Sequence, residues 1–258
     1  MSTDCNLHFC CHEEKKELFI KNGCHILECK KCSHRFVEVS EEANHISKVY
    51  SDTYFFDGKA GYPNYLDEEE ILVSSGRRYA KLISKFTSPG NLLDVGCAAG
   101  FIMSGFEEAG WNCYGIEPNE TMASFSSNVM NHKVQTANLE EFKADKKFDL
   151  VCLIEVIGHF YDLNKAMQNI SDMITDGGLV LVESWNMKST MAKLCGEKWH
   201  EYSPPSVLNW LSDSTLSQLF SNAGFQLIEL GYSEKRINIK HALSLLNEHL
   251  TNFVFKRN

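Results

Sequence analysis

Seven residues, Asp94-Val-Gly-Cys-Ala-Ala-Gly100, constrain this chain more than any others. The apolar run Asn91-Leu-Leu leads into them, so the segment reads as a buried β-strand. That strand ends in a carboxylate and turns through two glycines into a helix, Phe101 to Glu108, closed by Gly110. Such a turn belongs at the carboxyl edge of a parallel sheet, where a ligand lies against bare backbone.

The chemistry of the turn selects the ligand. A dinucleotide fingerprint requires G-x-G-x-x-G, whose middle glycine lets a pyrophosphate reach the helix N-terminus. Here the run is Gly96-Cys-Ala-Ala-Gly100, without that glycine, and Asp94 would repel a pyrophosphate. A ligand with an ammonium group fits better. Glu117, 21 residues beyond Gly96, ends a second short strand in Cys113-Tyr-Gly-Ile-Glu-Pro-Asn119. In a doubly wound sheet that is the position from which a carboxylate reads a ribose diol. An acidic residue at a strand end is commonly a helix cap, but two at strand–helix–strand spacing indicate a nucleoside site.

The rest of the core alternates. Strands are expected at 91–95, 112–116, 133–136, 148–154, 179–184 and 225–230, and helices at 99–109, 119–129, 162–174 and 213–223. Apolar strands alternating with helices imply an α/β fold, a doubly wound, mostly parallel sheet covered on both faces. Asn252-Phe-Val-Phe255 would add an antiparallel edge strand after a helix near 239–249, making seven. Asp176-Gly-Gly178 reads as the turn before the fifth strand. Residues 185–211, with three tryptophans and two adjacent prolines, read as a lid over the sheet's carboxyl edge.

Composition sets limits. A net charge of −9 with no basic stripe disfavours a broad phosphate-binding surface, so a small molecule or a protein is expected as substrate rather than nucleic acid. No run of about 18 apolar residues is present, and Met1 to Cys11 lacks a basic start and an apolar h-region. No membrane partner is expected, and a cytoplasmic location is. Oligomeric state is left open.

Ten cysteines in such a chain imply reduced thiols or metal ligands, and six fall within the first 32 residues. Cys29-Lys-Lys-Cys32 is a C-x-x-C knuckle leading into a strand. Two knuckles bring four ligands to tetrahedral zinc, enough to hold a segment without its own core. Cys5-x-x-His8 and His8-x-x-Cys11 both offer the first knuckle. The preferred structural site takes Cys11, Cys29 and Cys32 with His8 or Cys5 as fourth ligand, and Leu18-Phe-Ile20 and His25-Ile-Leu27 as ribbon strands; a cysteine-rich tail is the alternative.

The expected organisation is therefore a zinc-ribbon-like segment (1–40), an aromatic connector and helix (41–90), and a ligand-binding core (91–258). The connector holds Tyr50-Ser-Asp-Thr-Tyr-Phe-Phe-Asp-Gly58, and Asp67 is placed as the cap of a helix with Leu72, Tyr79, Ile83 and Phe86 along one face.

These motifs resemble the class I S-adenosylmethionine-dependent methyltransferases, in particular the small-molecule branch with an N-terminal zinc-ribbon-like segment. The resemblance runs from about Cys5 to Phe225. It is carried by Tyr54-Phe-Phe-Asp-Gly58, Leu92-Leu-Asp-Val-Gly-Cys97, Gly115-Ile-Glu-Pro118, Phe148-Asp-Leu-Val151, Glu155-Val-Ile-Gly-His159, Trp199-His-Glu-Tyr202 and Ala223-Gly-Phe225. It implies a Rossmann-like fold with S-adenosylmethionine as cofactor. Asp94, Gly96, Cys97 and Gly100 would then surround the methionine part, Glu117 bind the ribose, and Pro118 line the adenine. Asn138 and Leu139 would meet the adenine edge, Ile154 and Glu155 lie beneath the cofactor, and Tyr54 close over it. Gly158 departs from the family pattern, standing where a second acidic residue is usual before His159.

Methyl transfer from a sulfonium is an in-line displacement that rests on positioning in a dry pocket. Tyr54, Trp185 and Trp199 are candidates to face the positive sulfur. A hydroxyl or carbon acid needs a base, and His200 and His159 are the candidates, ahead of Glu201 and Tyr202. The expected activity is methylation of a small metabolite at oxygen, nitrogen or carbon. The competing readings are a nicotinamide-dependent oxidoreductase, a non-catalytic module that binds a partner protein, and a protein methyltransferase.

Overall fold

In the computed structural model, residues 14–38, 49–56, 64–233 and 250–257 are described. The expected helix near 239–249 lies outside them. Lys15–Lys21 (β1) and Cys24–Cys29 (β2) pair antiparallel across Asn22-Gly23. Both turn residues have positive φ, 50° and 78°, the conformation an Asn-Gly hairpin favours. Arg35–Phe36 (β3) pairs with β2. The two expected ribbon strands are thus present.

Asp52–Phe56 (α1) belongs to the connector. A 3₁₀ turn over Tyr65–Glu68 precedes Glu69–Ile83 (α2). The expected Asp67 cap is displaced: Asn64 caps the 3₁₀ turn by accepting from the Leu66 amide, and Asp67 sits inside that turn. Asn91–Val95 (β4) leads to Phe101–Glu107 (α3), Asn112–Glu117 (β5), Glu120–Asn128 (α4) and Lys133–Thr136 (β6). Phe148–Ile154 (β7), Leu163–Met173 (α5) and Ile174–Trp185 (β8) follow. Asp176-Gly-Gly178 lies within β8 rather than before it, at a register shift against β7. Thr190–Cys195 (α6), Asn209–Trp210 (β9), Asp213–Asn222 (α7), Phe225–Ser233 (β10) and Leu250–Arg257 (β11) complete the described elements.

Seven strands form one sheet in the order β10-β11-β8-β7-β4-β5-β6. The five from β8 to β6 are parallel, and β11 runs antiparallel to both neighbours. The expected doubly wound, mostly parallel seven-stranded α/β sheet is therefore borne out. One detail differs, because Asn252–Phe255 is an interior strand between β10 and β8, not an edge. Apolar side chains on both of its faces favour that position: Phe253 and Phe255 pack on one side and Val254 on the other.

Alternation builds the two buried faces. Leu93, Val95, Val151, Leu153, Val180 and Val182 share one core, while Leu92, Leu150, Cys152, Leu179 and Leu181 share the other. On the second face α2 crosses α3 at Gly76 and Gly105. A Cβ on Gly76 would lie 2.3 Å from the Ile102 carbonyl oxygen, so only glycine permits this approach. Ile71, Leu72, Ser75, Arg78 and Tyr79 of α2 line the cavity described below.

The lid does not stand alone. Its strand β9 pairs with β3, so the ribbon hairpin and the lid share a four-stranded sheet in the order β1-β2-β3-β9. Among the described residues no helix is long and apolar enough to cross a membrane.

Candidate active site

The chain passes from β4 to β5 and β6 on one side, then returns to place β7 on β4's other side. Ligands of open α/β sheets bind where the winding reverses, outside the carboxyl ends of the strands. A cavity of about 710 Å³ lies there.

Its nucleoside end is built around Glu117. One carboxylate oxygen accepts the Ala98 amide (2.9 Å) and the other the Asn119 amide (2.8 Å), which fixes the side chain at the cavity wall. Burial nevertheless pushes its carboxyl up to about 7, against the effect of those amides. Gly96, at φ 69°, turns the chain beneath it; a Cβ there would meet Val156 Cγ1 at 2.7 Å. Asn138 and Pro118 line the same end, with Glu140, a buried carboxyl that accepts the Tyr161 amide and is pushed up to about 7 by burial.

Asp94 is 3% exposed, and its carboxyl is raised to about 7, first by burial and then by the Glu117 charge. Among the described residues no charge offsets that desolvation, so the position favours a cationic ligand group. The residues present therefore fit an amino-acid nucleoside: a carboxylate aimed at a diol, and another short of a cation.

Past Ile154, Glu155 holds a positive φ of 57°. Its amide donates to the Glu183 carbonyl (2.9 Å), tying the ends of β7 and β8 together. A non-glycine residue in this region stores strain, a mark of functional sites. Beyond it His159 Nδ1 donates to the Ser206 carbonyl (2.7 Å), which leaves Nε2 as the ring's basic nitrogen. Burial pulls the His159 pKa below its ordinary value, opposed by that carbonyl. Tyr50 also donates to the Ser206 carbonyl (3.1 Å) and meets the His159 ring edge-on. In the lid, His200 Nε2 lies 2.9 Å from Glu201 Oε1, with Trp185 edge-on at 5.2 Å.

A family model described as a methyltransferase domain matches residues 70–230. The chain belongs to the methyltransferase domain family. The match runs from α2 into β10 and includes most of the residues that line the cavity, with Tyr50, Tyr54, Phe55 and Tyr65 lying before it. It bears out the expected S-adenosylmethionine-dependent class over the oxidoreductase reading.

This chain is 27% identical over 129 residues to a ubiquinone biosynthesis O-methyltransferase of Rickettsia bellii, covering 48% of this chain and 52% of that protein. It is 26% identical over 183 residues to one of Rickettsia akari, covering 68% and 69%. The chain thus spans about half the length of the first of these curated relatives. In fold it resembles a methyltransferase of Archaeoglobus fulgidus (TM-score 0.58, 19% identity, 75% of this chain and 99% of that one). It also resembles magnesium protoporphyrin IX methyltransferase from Synechocystis with bound S-adenosylhomocysteine (TM-score 0.57, 14% identity, 80% and 97%).

The fold brings most of the expected site residues to one cavity: Tyr54, Asp94, Gly96, Cys97, Glu117, Pro118, Asn138, Leu139, Ile154 and Glu155, with His159 and His200. Gly100 is not in its lining; it turns the chain into α3 at φ 81°. Sequence reasoning missed Arg78, Tyr79, Glu140 and Glu183, which also line the cavity. Tyr79 stood in the expected core face of α2, yet its hydroxyl meets Glu183 inside the cavity. An arginine beside it on that apolar stripe was the available signal. Arg78 is the only Lys or Arg in the lining among the described residues.

Of the expected zinc ligands, Cys5, His8 and Cys11 lie outside the described residues. Cys29 is buried and Cys32 partly so, and their loop is closed by Cys29 N–H to His34 O and Ser33 N–H to Cys29 O, both 2.9 Å. Among the described residues no cluster of three or more His, Cys, Asp or Glu forms a metal site.

Proposed function

We propose that this protein transfers a methyl group from S-adenosylmethionine to a hydroxyl oxygen of a small molecule. The observation that carries the reading is the pairing of a diol-reading Glu117 with an uncompensated Asp94 in the same cavity as two histidines. The O-methyltransferase names of its relatives support oxygen as the acceptor atom.

When bound, the cofactor supplies the methyl group from a sulfonium by in-line displacement. Glu117 would hold the ribose hydroxyls with the lone pairs its two amides leave free, and Asp94 would meet the ammonium end. Arg78 would pair with the carboxylate of the methionine part. Tyr54 and the carboxyl ends of β4 and β7 would enclose it and exclude water, which strengthens each of these charge contacts. His159, neutral at pH 7 through burial, or His200, oriented by Glu201, would take the acceptor's proton.

Zinc is part of the same proposal. Cys29 and Cys32 sit in a closed hairpin loop at the C-x-x-C spacing of a zinc knuckle. They would hold the ion with Cys11 and either His8 or Cys5, in a closed structural site. Metal analysis of the purified protein beside a Cys32→Ser variant tests this: about one zinc per chain, lost in the variant, is expected.

The main test is calorimetric titration with S-adenosylmethionine and S-adenosylhomocysteine, for the parent and for Asp94→Ala, Glu117→Ala. Binding by the parent alone supports the site; no binding by a folded parent overturns it. Transfer of a labelled methyl group to a small hydroxylated acceptor, rather than to protein, then decides the substrate class.

A further inference from the structure

Residues 199–203 form a short turn with two faces. His200, Glu201 and Ser203 line the cavity, whereas Trp199 and Tyr202 are buried against the ribbon side. Tyr202 meets Phe19 of β1 edge-on (4.9 Å) and Trp210 of β9 at 5.0 Å. Its hydroxyl accepts a hydrogen bond from Arg35 Nη1 of β3. The other side of that guanidinium is fixed as well, because Arg35 Nε donates to Glu28 Oε2 of β2 (2.8 Å).

A second tether runs through the backbone. Arg35 is the register partner of Trp210, and the Trp210 indole N–H donates to the Glu201 carbonyl (2.7 Å). The residue that orients His200 is therefore gripped from the ribbon twice, at its own carbonyl through Trp210 and at its neighbour Tyr202 through Arg35. Both links start from one residue of β3. A planar guanidinium that spans Glu28 and Tyr202 sets an angle as well as a distance, which a lysine does not.

We propose that Arg35 is a positioning residue for the His200–Glu201 pair, so that the ribbon sheet sets the geometry of the acceptor side of the cavity. This rests on the methyltransferase reading. The ribbon then acts on proton removal and leaves cofactor capture at Glu117 and Asp94, which no contact named here ties to β3, unaltered. The charged and titratable groups that share the cavity with His200 include Glu201, Arg78, Glu155, Glu183, His159, Glu140, Asp94 and Glu117, and Glu201 is gripped from β9, the partner of β3.

The test follows the ring protons of His200 by NMR between pH 5 and 9 in the holoprotein with S-adenosylhomocysteine, for the parent and for Glu201→Gln, Arg35→Ala, Arg35→Lys and Tyr202→Phe. Glu201→Gln defines the midpoint of His200 without the Glu201 charge. Arg35→Ala is expected to move the midpoint at least half-way to that value, Tyr202→Phe to move it in the same direction, and Arg35→Lys, which keeps one contact, to fall between. S-adenosylhomocysteine affinity should change by less than about threefold in all of them. A parent-like midpoint in Arg35→Ala and in Tyr202→Phe, with cofactor still bound, overturns the coupling. Should Arg35→Ala fail to fold, Tyr202→Phe alone decides. Loss of S-adenosylhomocysteine binding in the parent instead refutes the methyltransferase reading, so the two failures are distinct.

Discussion

Glu117, at the end of β5, accepts the amide of Ala98, in the turn that follows β4, at 2.9 Å. One carboxylate thus joins the position proposed to read the ribose to the loop proposed to surround the methionine part. Hydrogen bonds to a charged partner each contribute about 1.5–3 kcal/mol. Glu117→Gln removes the charge and turns one acceptor into a donor facing an amide. We expect its S-adenosylhomocysteine affinity to fall by about 10- to 100-fold in a calorimetric titration, with the fold retained by circular dichroism.

Asp94 opposes folding when the site is empty of cations. Its carboxyl rises from 3.8 to about 7 on folding, so between these values the folded state holds more protons than the unfolded one. The stability of the ligand-free protein therefore falls as pH rises from about 4 to about 7, and levels off above. Asp94→Asn lacks the charge. At pH 8 it should melt several degrees above the parent, at about 2–4 °C per kcal/mol for a chain of this size, while losing cofactor affinity. A variant that melts below the parent at pH 8 contradicts this.

His159 is pulled below its ordinary pKa by burial, so it is neutral at pH 7. As the base it would give a rate that rises with pH through a midpoint below about 6.5 and is flat above. His159→Ala should then lower kcat by about 10²–10⁴-fold with little change in S-adenosylhomocysteine affinity. The same loss in His200→Ala, with His159→Ala near parent, would assign the base to the lid instead. Initial rates across a panel of small hydroxylated acceptors make the distinction.

Gly96 combines a positive φ with a full environment. Gly96→Ala places a methyl 2.7 Å from Val156 Cγ1 in a conformation that side chains rarely adopt. We expect destabilisation of about 1–3 kcal/mol and weaker cofactor binding. Adding Val156→Ala should relieve the clash but not the backbone strain, so thermal melts of the double variant should recover only part of the loss.

The sheet was legible because its signal is local. The run Leu92-Leu93-Asp94 is apolar up to one carboxylate, and the turn and Glu117 follow at fixed spacing. The order of strands was legible only in part. Nothing in Asn252-Phe-Val-Phe255 says which strands flank it, and its two apolar faces fit an interior place that pairing alone reveals. Arg78 and Glu183 were hidden for a related reason: each lies in an apolar pattern that local reading assigns to core. Arg78 reaches the cavity from α2 and Glu183 from the end of β8, and only the tertiary fold brings the two together. The pairing of β9 with the ribbon was invisible too, since two residues carry no periodicity.

That last pairing has a consequence for synthesis on the ribosome. Arg35 emerges 175 positions before Trp210, its partner in the four-stranded sheet. At about 5–20 residues per second, the hairpin waits roughly 10–35 s for the strand that completes it. Through that interval Ile26, fully buried in the finished protein, lacks the lid residues Trp199, Tyr202 and Trp210 that share its cluster.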